Sequence, residues 1–339
     1  MKDLRIGIIG GGRFFNWVHA PALELIRDNF KCMVFCCCDE QQARETVAKW
    51  GYDRTYLDAD EMLEKEPIDM LYVTTPPSVT GQMAIKAIER GIPAFLEKPI
   101  CNSFEELKRI QDAYNKYGTP HFVAYNRRHI RILNEAKRYV QEKGGLSHIQ
   151  VDWYRHDTKA PTGFMGSGIH GIDAMRYLCG DVETLRSVSS KTEYFDKQPI
   201  SYSALFMFKS GISGVFNSNA RAGHLSERYV LFTENGSVEL ELTSPGGLDC
   251  PKWLKIYEGK KLVRDVDLLR DRPEAERTPA HFNGIVDEHL YFLDCVRNKQ
   301  APFPDVNDSI KSMRLAAAFN QGFNGMLKDF KTPPVDPVE

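Results

Sequence analysis

The stretch GIIGGGRFF, residues 7–15, constrains the fold of this chain more than any other. It follows an apolar run, Arg5–Ile9, and opens a helical pattern, Phe15–Arg27. Gly10 and Gly12 fit the first two positions of the G-x-G-x-x-G turn, and Phe15 stands at the third. In such a turn the first glycine permits the sharp bend. The second lets backbone approach a pyrophosphate at the helix N-terminus. The third serves helix–strand packing, so a phenylalanine there predicts wider packing rather than lost phosphate binding. Glycine turns after strands are common. A strand before it and a helix after it make this one a dinucleotide-binding signature.

The pattern repeats through the first third of the chain. Apolar runs at Cys32–Cys38, Asp53–Tyr56, Met70–Thr74, Ala94–Leu96 and Phe122–Ala124 alternate with helical periodicity at Gln41–Lys49, Asp60–Lys65, Ser78–Glu89 and Phe104–Lys116. Gly51, Gly91 and Gly118 each follow a helical run, where a left-handed cap is favoured. Ser103 with Glu106 reads as a capping box. Six strands joined by helices predict a doubly wound parallel sheet, an α/β Rossmann domain over residues 1–123. Beyond it, residues 124–339 read as an α+β domain. Helix Ile132–Glu142 precedes strand-like runs at Ser147–Arg155, Ser201–Phe208, Gly214–Ser218, Tyr229–Thr233 and Ser237–Leu242, with Asn235-Gly236 as a hairpin turn. Such short connections predict antiparallel neighbours. Two helices, Ile285–Arg297 and Ser309–Leu327, close the pattern.

Asp39 ends the second strand. A carboxylate there accepts hydrogen bonds from ribose hydroxyls and repels a 2′-phosphate, so NAD is expected over NADP. An aspartate also makes a good N-cap for Gln41–Lys49, and both roles are compatible. A net charge of −2 and a pI near 6.5 argue against nucleic acid or an anionic membrane as the main partner. The basic pairs Arg127-Arg128 and Lys260-Lys261 read as solvated surface. No apolar stretch is long enough to span a bilayer, and no leader pattern precedes the first strand, so a cytoplasmic protein is expected. The eight cysteines, three of them consecutive at Cys36–Cys38, lack CxxC spacing and read as small apolar side chains, and no metal site is signalled.

AFLEKPI, residues 94–100, places Lys98 just past the end of the fifth strand, where open α/β sheets bind ligands. An ammonium there would orient a substrate hydroxyl. With its pKa lowered by a cationic nicotinamide and burial it would join proton transfer. Glu97 would hold the lysine or the loop, and Pro99 would fix the turn. Alone, the pair reads equally as a surface ion pair.

The glycine loop, TTPPSVTGQMAIKAI (74–88), EKP and GIHGIDAMRYLCG (168–180) occur in this order, and the set resembles the glucose–fructose oxidoreductase/inositol dehydrogenase (Gfo/Idh/MocA) family. The resemblance runs on through PFPDVNDSIKSMRLAAAFNQ (302–321). It implies a second domain with a large open, mostly antiparallel sheet. It implies NAD(P)-dependent oxidation or reduction of a carbinol on a sugar, cyclitol or nucleotide sugar, and assembly as a homodimer or homotetramer. Carried over, it makes Lys98 and His170 the catalytic pair. It assigns Gly10, Gly12, Arg13, Phe14, Asp39, Thr75, Pro76, Pro77, Glu97, Lys98 and Asn126 to the cofactor. Many members have asparagine at Pro77 and histidine at Thr80. Lys98, Tyr125, Arg127, Tyr154, His170 and Asp173 are expected at the substrate. Asp173, one turn after His170, would contact a sugar hydroxyl or support packing. His129, Arg128 and Arg131 form either a substrate-anion site or a solvated turn.

The family usually has aspartate four residues before the histidine, and here that position is Gly166. Lys98 and His170 would then suffice, with space for a larger substrate or a water. The alternatives are a catalytically impaired NAD-binding sensor and a subfamily with a different reaction. One such reaction uses tightly bound NAD transiently for net non-redox chemistry.

Overall fold

The computed structural model describes residues 4–156, 168–190, 201–242 and 253–331. These form two compact units, described separately. The first gathers residues 4–124 and 285–310; the second gathers 125–284 and 311–331, among the described residues. The second crossing of the chain departs from the single cut expected at 123/124.

In the first unit, β1 (Leu4–Ile9), β2 (Phe30–Cys36), β3 (Arg54–Tyr56), β4 (Met70–Val73), β5 (Ala94–Leu96) and β6 (His121–Val123) make one sheet in the order β3-β2-β1-β4-β5-β6. Every pairing is parallel. This is the doubly wound order in which the chain reverses direction beside β1. The central strands are buried on both faces, as Ile6, Ile8, Leu71, Tyr72, Phe95 and Leu96 show. That double burial is why they read as continuous apolar runs.

The helices of this unit are α1 (Ala20–Leu25), entered through a π-type turn at Phe15–His19, α2 (Glu40–Trp50), α3 (Ala59–Lys65), α4 (Pro77–Glu89) and α5 (Phe104–Tyr117). Gly51 and Gly118 cap their helices at φ 65° and 68°, and the Ser103 hydroxyl accepts from Glu106 N–H. Gly81 of α4 faces α5, where a Cβ would press on the Glu106 carboxylate. The helix Ile285–Asn298 belongs here because its Phe292 and His289 pack on Tyr72, Phe95 and Phe122.

The second unit opens with α6 (Arg131–Glu142) and carries a nine-stranded sheet. Its strands are β7 (His148–His156), β8 (Val182–Ser190), β9 (Ser201–Phe208), β10 (Ser213–Asn219), β11 (Arg221–Phe232), β12 (Gly236–Glu241), β13 (Trp253–Glu258), β14 (Lys261–Asp267) and β15 (Asn324–Met326). The order is β14-β13-β12-β11-β7-β10-β9-β8-β15. All pairings are antiparallel except β7 with β10, which is parallel. The expectation of antiparallel neighbours fails there because β8 and β9 intervene in sequence between β7 and β10.

Helix α7 (Ile169–Cys179) lies on one face of this sheet. Gly171 sets the distance: a Cβ there would fall 2.7 Å from the Trp153 ring and 2.9 Å from Phe216. The helix therefore sits closer than any side chain at that position would allow. The last helix, Val306–Asn320, stops earlier than Ser309–Leu327 predicts, because Gly322 turns left-handed (φ 67°) and Asn324–Met326 pairs with β8.

Candidate active site

The first group of site residues collects at the C-terminal ends of β1, β2, β4 and β5. Gly10 has φ 108°, and a Cβ there would lie 2.6 Å from the Thr74 carbonyl oxygen. Only glycine fits between β1 and β4 at this point. An added Cβ at Gly12, by contrast, meets no heavy atom within 4 Å. The second glycine therefore faces open space, as an approaching pyrophosphate requires. Phe15 is fully buried and stacks on Phe35 at 5.9 Å, so the third position is filled by packing. Arg13 and Phe14 are exposed beside the turn. These features fit a dinucleotide.

Asp39 is exposed, and its carboxylate accepts from Gln42 N–H at 2.9 Å. It is a helix cap, and a carboxylate with one oxygen so engaged still has lone pairs for a ribose. After β4 the chain turns through Thr75 and Pro76 into α4, with Pro77 at its first position. Thr80 fastens this turn. Its hydroxyl lies 2.9 Å from that of Thr75 and donates to the carbonyls of Thr75 (2.9 Å) and Pro76 (3.1 Å).

Glu97 and Lys98 follow β5 half-buried, and the Lys98–Pro99 peptide is cis. Glu97 turns back on its own loop, one oxygen accepting from Lys98 N–H at 2.5 Å. Its other oxygen lies 3.8 Å from Nε2 of His19. His19 is itself 1% exposed, edge-on to Phe14 at 5.5 Å, with Nδ1 3.1 Å from Nε2 of His289. The imidazole pair therefore links the glycine turn to the EKP loop from behind. No local pattern signals that two histidines far apart in sequence meet.

The second group lies in the other unit and is held by buried ion pairs. Tyr125, Asn126, Arg127 and Arg128 follow β6, and all four are buried. Reading Arg127-Arg128 as solvated surface is overturned. The Arg127 guanidinium bonds Glu227 at 3.1 and 2.7 Å, and Arg155 adds a contact to the same carboxylate at 3.3 Å. Glu227 is 0% exposed and also accepts from the Tyr229 hydroxyl at 2.9 Å. Burial first, then the Glu227 charge, raises the Tyr229 pKa and keeps it protonated. Asn126 donates to the Asn283 carbonyl at 2.9 Å and accepts from Arg127. The polar ends of Asn126 and Arg127, expected at cofactor and substrate, are thus engaged in the interior.

His170 is the second residue of α7 and is 9% exposed. Asp173 is 0% exposed, gripped by Arg128 (2.7 and 2.6 Å) and by the Ser312 hydroxyl (2.6 Å). Of the two roles expected for Asp173, the geometry supplies the packing one. Arg128 likewise leaves the anion site expected with His129 and Arg131, because its guanidinium is spent on Asp173.

Tyr154, expected at the substrate, lies on the face of β7 away from α7. Residues alternate across a strand, and Trp153, its neighbour, faces α7 through Gly171. Tyr154 therefore points to the opposite face, where its hydroxyl donates to Asp152 at 3.2 Å. The sheet does not bring it to His170. Gly166 lies outside the described residues. No helix among the described residues is long and apolar enough to cross a membrane.

Comparison with known proteins adds to this geometry. Residues 4–125 match a family model described as an oxidoreductase family, NAD-binding Rossmann fold. Residues 132–239 match the GFO/IDH/MocA C-terminal domain. The chain is 28% identical to scyllo-inositol 2-dehydrogenase (NAD(+)) of Bacillus subtilis over 96% of this chain and 95% of that protein. It is 26% identical to levoglucosan dehydrogenase of Pseudarthrobacter phenanthrenivorans, over 56% of this chain and 55% of that one. Among solved structures, levoglucosan dehydrogenase with NADH and levoglucosan superposes with a TM-score of 0.78 at 18% identity, covering 95% of this chain and 97% of that one. That last likeness is one of fold.

Proposed function

Since the chain belongs to the Gfo/Idh/MocA family and carries its NAD-binding Rossmann domain, we propose that it is an NAD-dependent dehydrogenase of a ring carbinol on a sugar, cyclitol or nucleotide sugar. The observation that carries this reading is the joining of the glycine turn and the EKP loop. His19 touches Phe14 on one side and reaches Glu97 on the other, so the residues expected at pyrophosphate and at the reacting oxygen share one support. NAD, when bound, supplies the hydride acceptor. Its pyrophosphate would lie over Gly12, its ribose at Asp39 and its nicotinamide toward Thr75 and Pro76.

The rest falls to the chain's own side chains. The Lys98 ammonium donates to the substrate oxygen and steadies the charge that grows there as the O–H proton leaves. His170, neutral, takes that proton as general base and returns it in the reverse direction. The Arg128–Asp173 pair and Gly171 hold the helix that carries His170. Homodimeric or homotetrameric assembly belongs to the same reading.

Single-turnover mixing of the protein and NAD with scyllo-inositol, myo-inositol, levoglucosan and D-apiose tests it. Growth of the reduced-nicotinamide absorbance with at least one, abolished in Lys98→Ala at nearly unchanged NADH affinity, is the expected result. Undiminished turnover in Lys98→Ala removes the lysine from the chemistry. NADH binding with no reduction by any carbinol favours the sensor reading that Gly166 raises.

A further inference from the structure

A cavity of about 370 Å³ in the second unit belongs to none of the residues discussed for hydride transfer. Five cationic side chains line it: Arg176, Lys209, Lys311, Arg314 and Lys328. Only two carboxylates face them, those of Asp181 and Glu183. Five positive charges less two negative leave an excess of three, in a chain whose formal charge is −2. The concentration of positive charge is therefore local and does not follow from composition. Like charges gathered in a concavity raise the potential there and draw in anions.

The walls are built rather than merely decorated. Arg176, 6% exposed, binds Asp181 at 2.8 Å and the Ser312 hydroxyl at 2.6 Å. Lys311 reaches the other Asp181 oxygen at 2.9 Å. Asp181 is thereby consumed: burial alone would raise its pKa, but the bonds from Arg176 and Lys311 outweigh that and lower it. The Lys209 backbone N–H donates to the Asp181 carbonyl at 2.8 Å, which fixes that turn to the same loop. Arg314 binds the carbonyls of Leu327, Lys328 and Phe330, which braces the turn that presents Lys328. Among the described residues neither the Lys209 nor the Lys328 ammonium has an ion-pair partner. Val182, Met326 and Leu327 complete the lining with apolar surface, room for the carbon skeleton of a ligand.

We propose that this cavity binds a small multivalent oxyanion, a phosphate-bearing or polycarboxylate metabolite, between Lys209, Lys328 and the Arg176–Lys311 edge. A volume of this size suits a ligand of a few tens of atoms at most. Ammonium and guanidinium groups on several sides match phosphoryl or carboxylate oxygens. The site is independent of hydride transfer, and its test does not use turnover.

Isothermal titration at fixed ionic strength, set with sodium chloride, is run with pyrophosphate, inorganic phosphate and citrate. Saturating NADH is present so that the turn at Gly10–Gly12 does not compete. The variant is Lys209→Ala/Lys328→Ala, two exposed residues whose loss leaves the fold intact; the control is Lys260→Ala/Lys261→Ala, an exposed turn elsewhere. Saturable binding of at least one anion, weakened about tenfold or more in the variant and unchanged in the control, is expected. Preference for pyrophosphate or for citrate assigns the phosphate or the carboxylate source. No binding above chloride, or equal binding by wild type and the Lys209/Lys328 variant, overturns the proposal. If NADH itself fails to bind, the dehydrogenase reading falls, while the comparison of variants still reports on this cavity.

Discussion

Asp173→Asn is the substitution that most sharply separates a substrate contact from a support. In the structure the Asp173 carboxylate accepts two parallel bonds from Arg128, at 2.7 and 2.6 Å, and a third from Ser312 at 2.6 Å. Neither partner of the ion pair is more than 4% exposed. Asparagine keeps the shape, removes the charge and turns one acceptor into a donor aimed at a guanidinium that is itself a donor. Breaking a buried pair by neutralising one member costs about 3–5 kcal/mol, because the other charge stays buried. For a unit of this size that lowers its unfolding temperature by on the order of 10 °C.

The assay is guanidinium denaturation followed by a probe in the second unit, Trp153 or Trp253, with the slope compared to confirm that only stability moved. The double variant Arg128→Met/Asp173→Leu should be less damaged than the sum of its singles, because it leaves neither charge unmatched. KM for the best carbinol, measured well below the transition, should be nearly unchanged. An Asp173→Asn protein of normal stability with a raised KM would refute the argument and return the carboxylate to the substrate.

Two further predictions concern the first unit. Asp39→Ala should weaken NAD and relax the rejection of NADP, read as the ratio of kcat/KM for the two cofactors; an unmoved ratio would leave Asp39 a helix cap alone. His121 is fully buried, and burial lowers its pKa to about 4, although the carbonyls of Pro120, Ala84 and Thr119 pull the other way. Below the unfolded value of 6.5 the unfolded chain takes a proton that the folded chain refuses. Stability is thus complete above pH 6.5 and lost as pH falls toward 4, by about 2 kcal/mol at pH 5. Urea midpoints at pH 7.5 and 5.0 check this, with His121→Phe expected to flatten the dependence. An identical slope in that variant would assign the loss to other groups.

Much of the first unit is legible in sequence because its information is local. The central strands are buried on both faces, α2 and α5 end on a glycine, and the order of elements alone fixes a parallel sheet. Strand boundaries shift by a residue or two, as with β2, which stops at Cys36 rather than Cys38. The second unit hides more. In β8 a register shift between Val182 and Thr184 places the buried apolar residues at 182 and 185, a helical rather than an alternating spacing, and Val188 is an apolar residue left 71% exposed. In β14 only Val266 is buried, so no alternation marks the strand. The candidate site divides the same way. Its glycine turn and EKP loop sit on consecutive residues and can be read. Its supports, His19 with His289, Arg127 with Glu227 and Arg128 with Asp173, join positions 45 to 270 residues apart. A buried arginine and a solvated one are spelled alike.

This division has a consequence for how His170 is held. The general base proposed at His170 needs a position held within a fraction of an ångström, which requires the element beneath it to be locked. Helix α7 is locked from two sides. On the sheet side Gly171 brings it against Trp153 and Phe216 at a distance no Cβ would tolerate. On the other side Asp173 ties it to Arg128 in the turn after β6 and to Ser312 in the last helix. Arg176 repeats the bond to Ser312 one turn further on. A buried ion pair is weak support for stability as such, since apolar packing of similar volume often does as well. Its directional value is different: two forked bonds and a hydroxyl fix rotation about the helix axis, which apolar contacts alone leave loose. On this argument the charges buried around α7 stay in the interior to set the angle at which His170 leaves its helix, with Lys98 set independently by the loop that Glu97 and His19 hold.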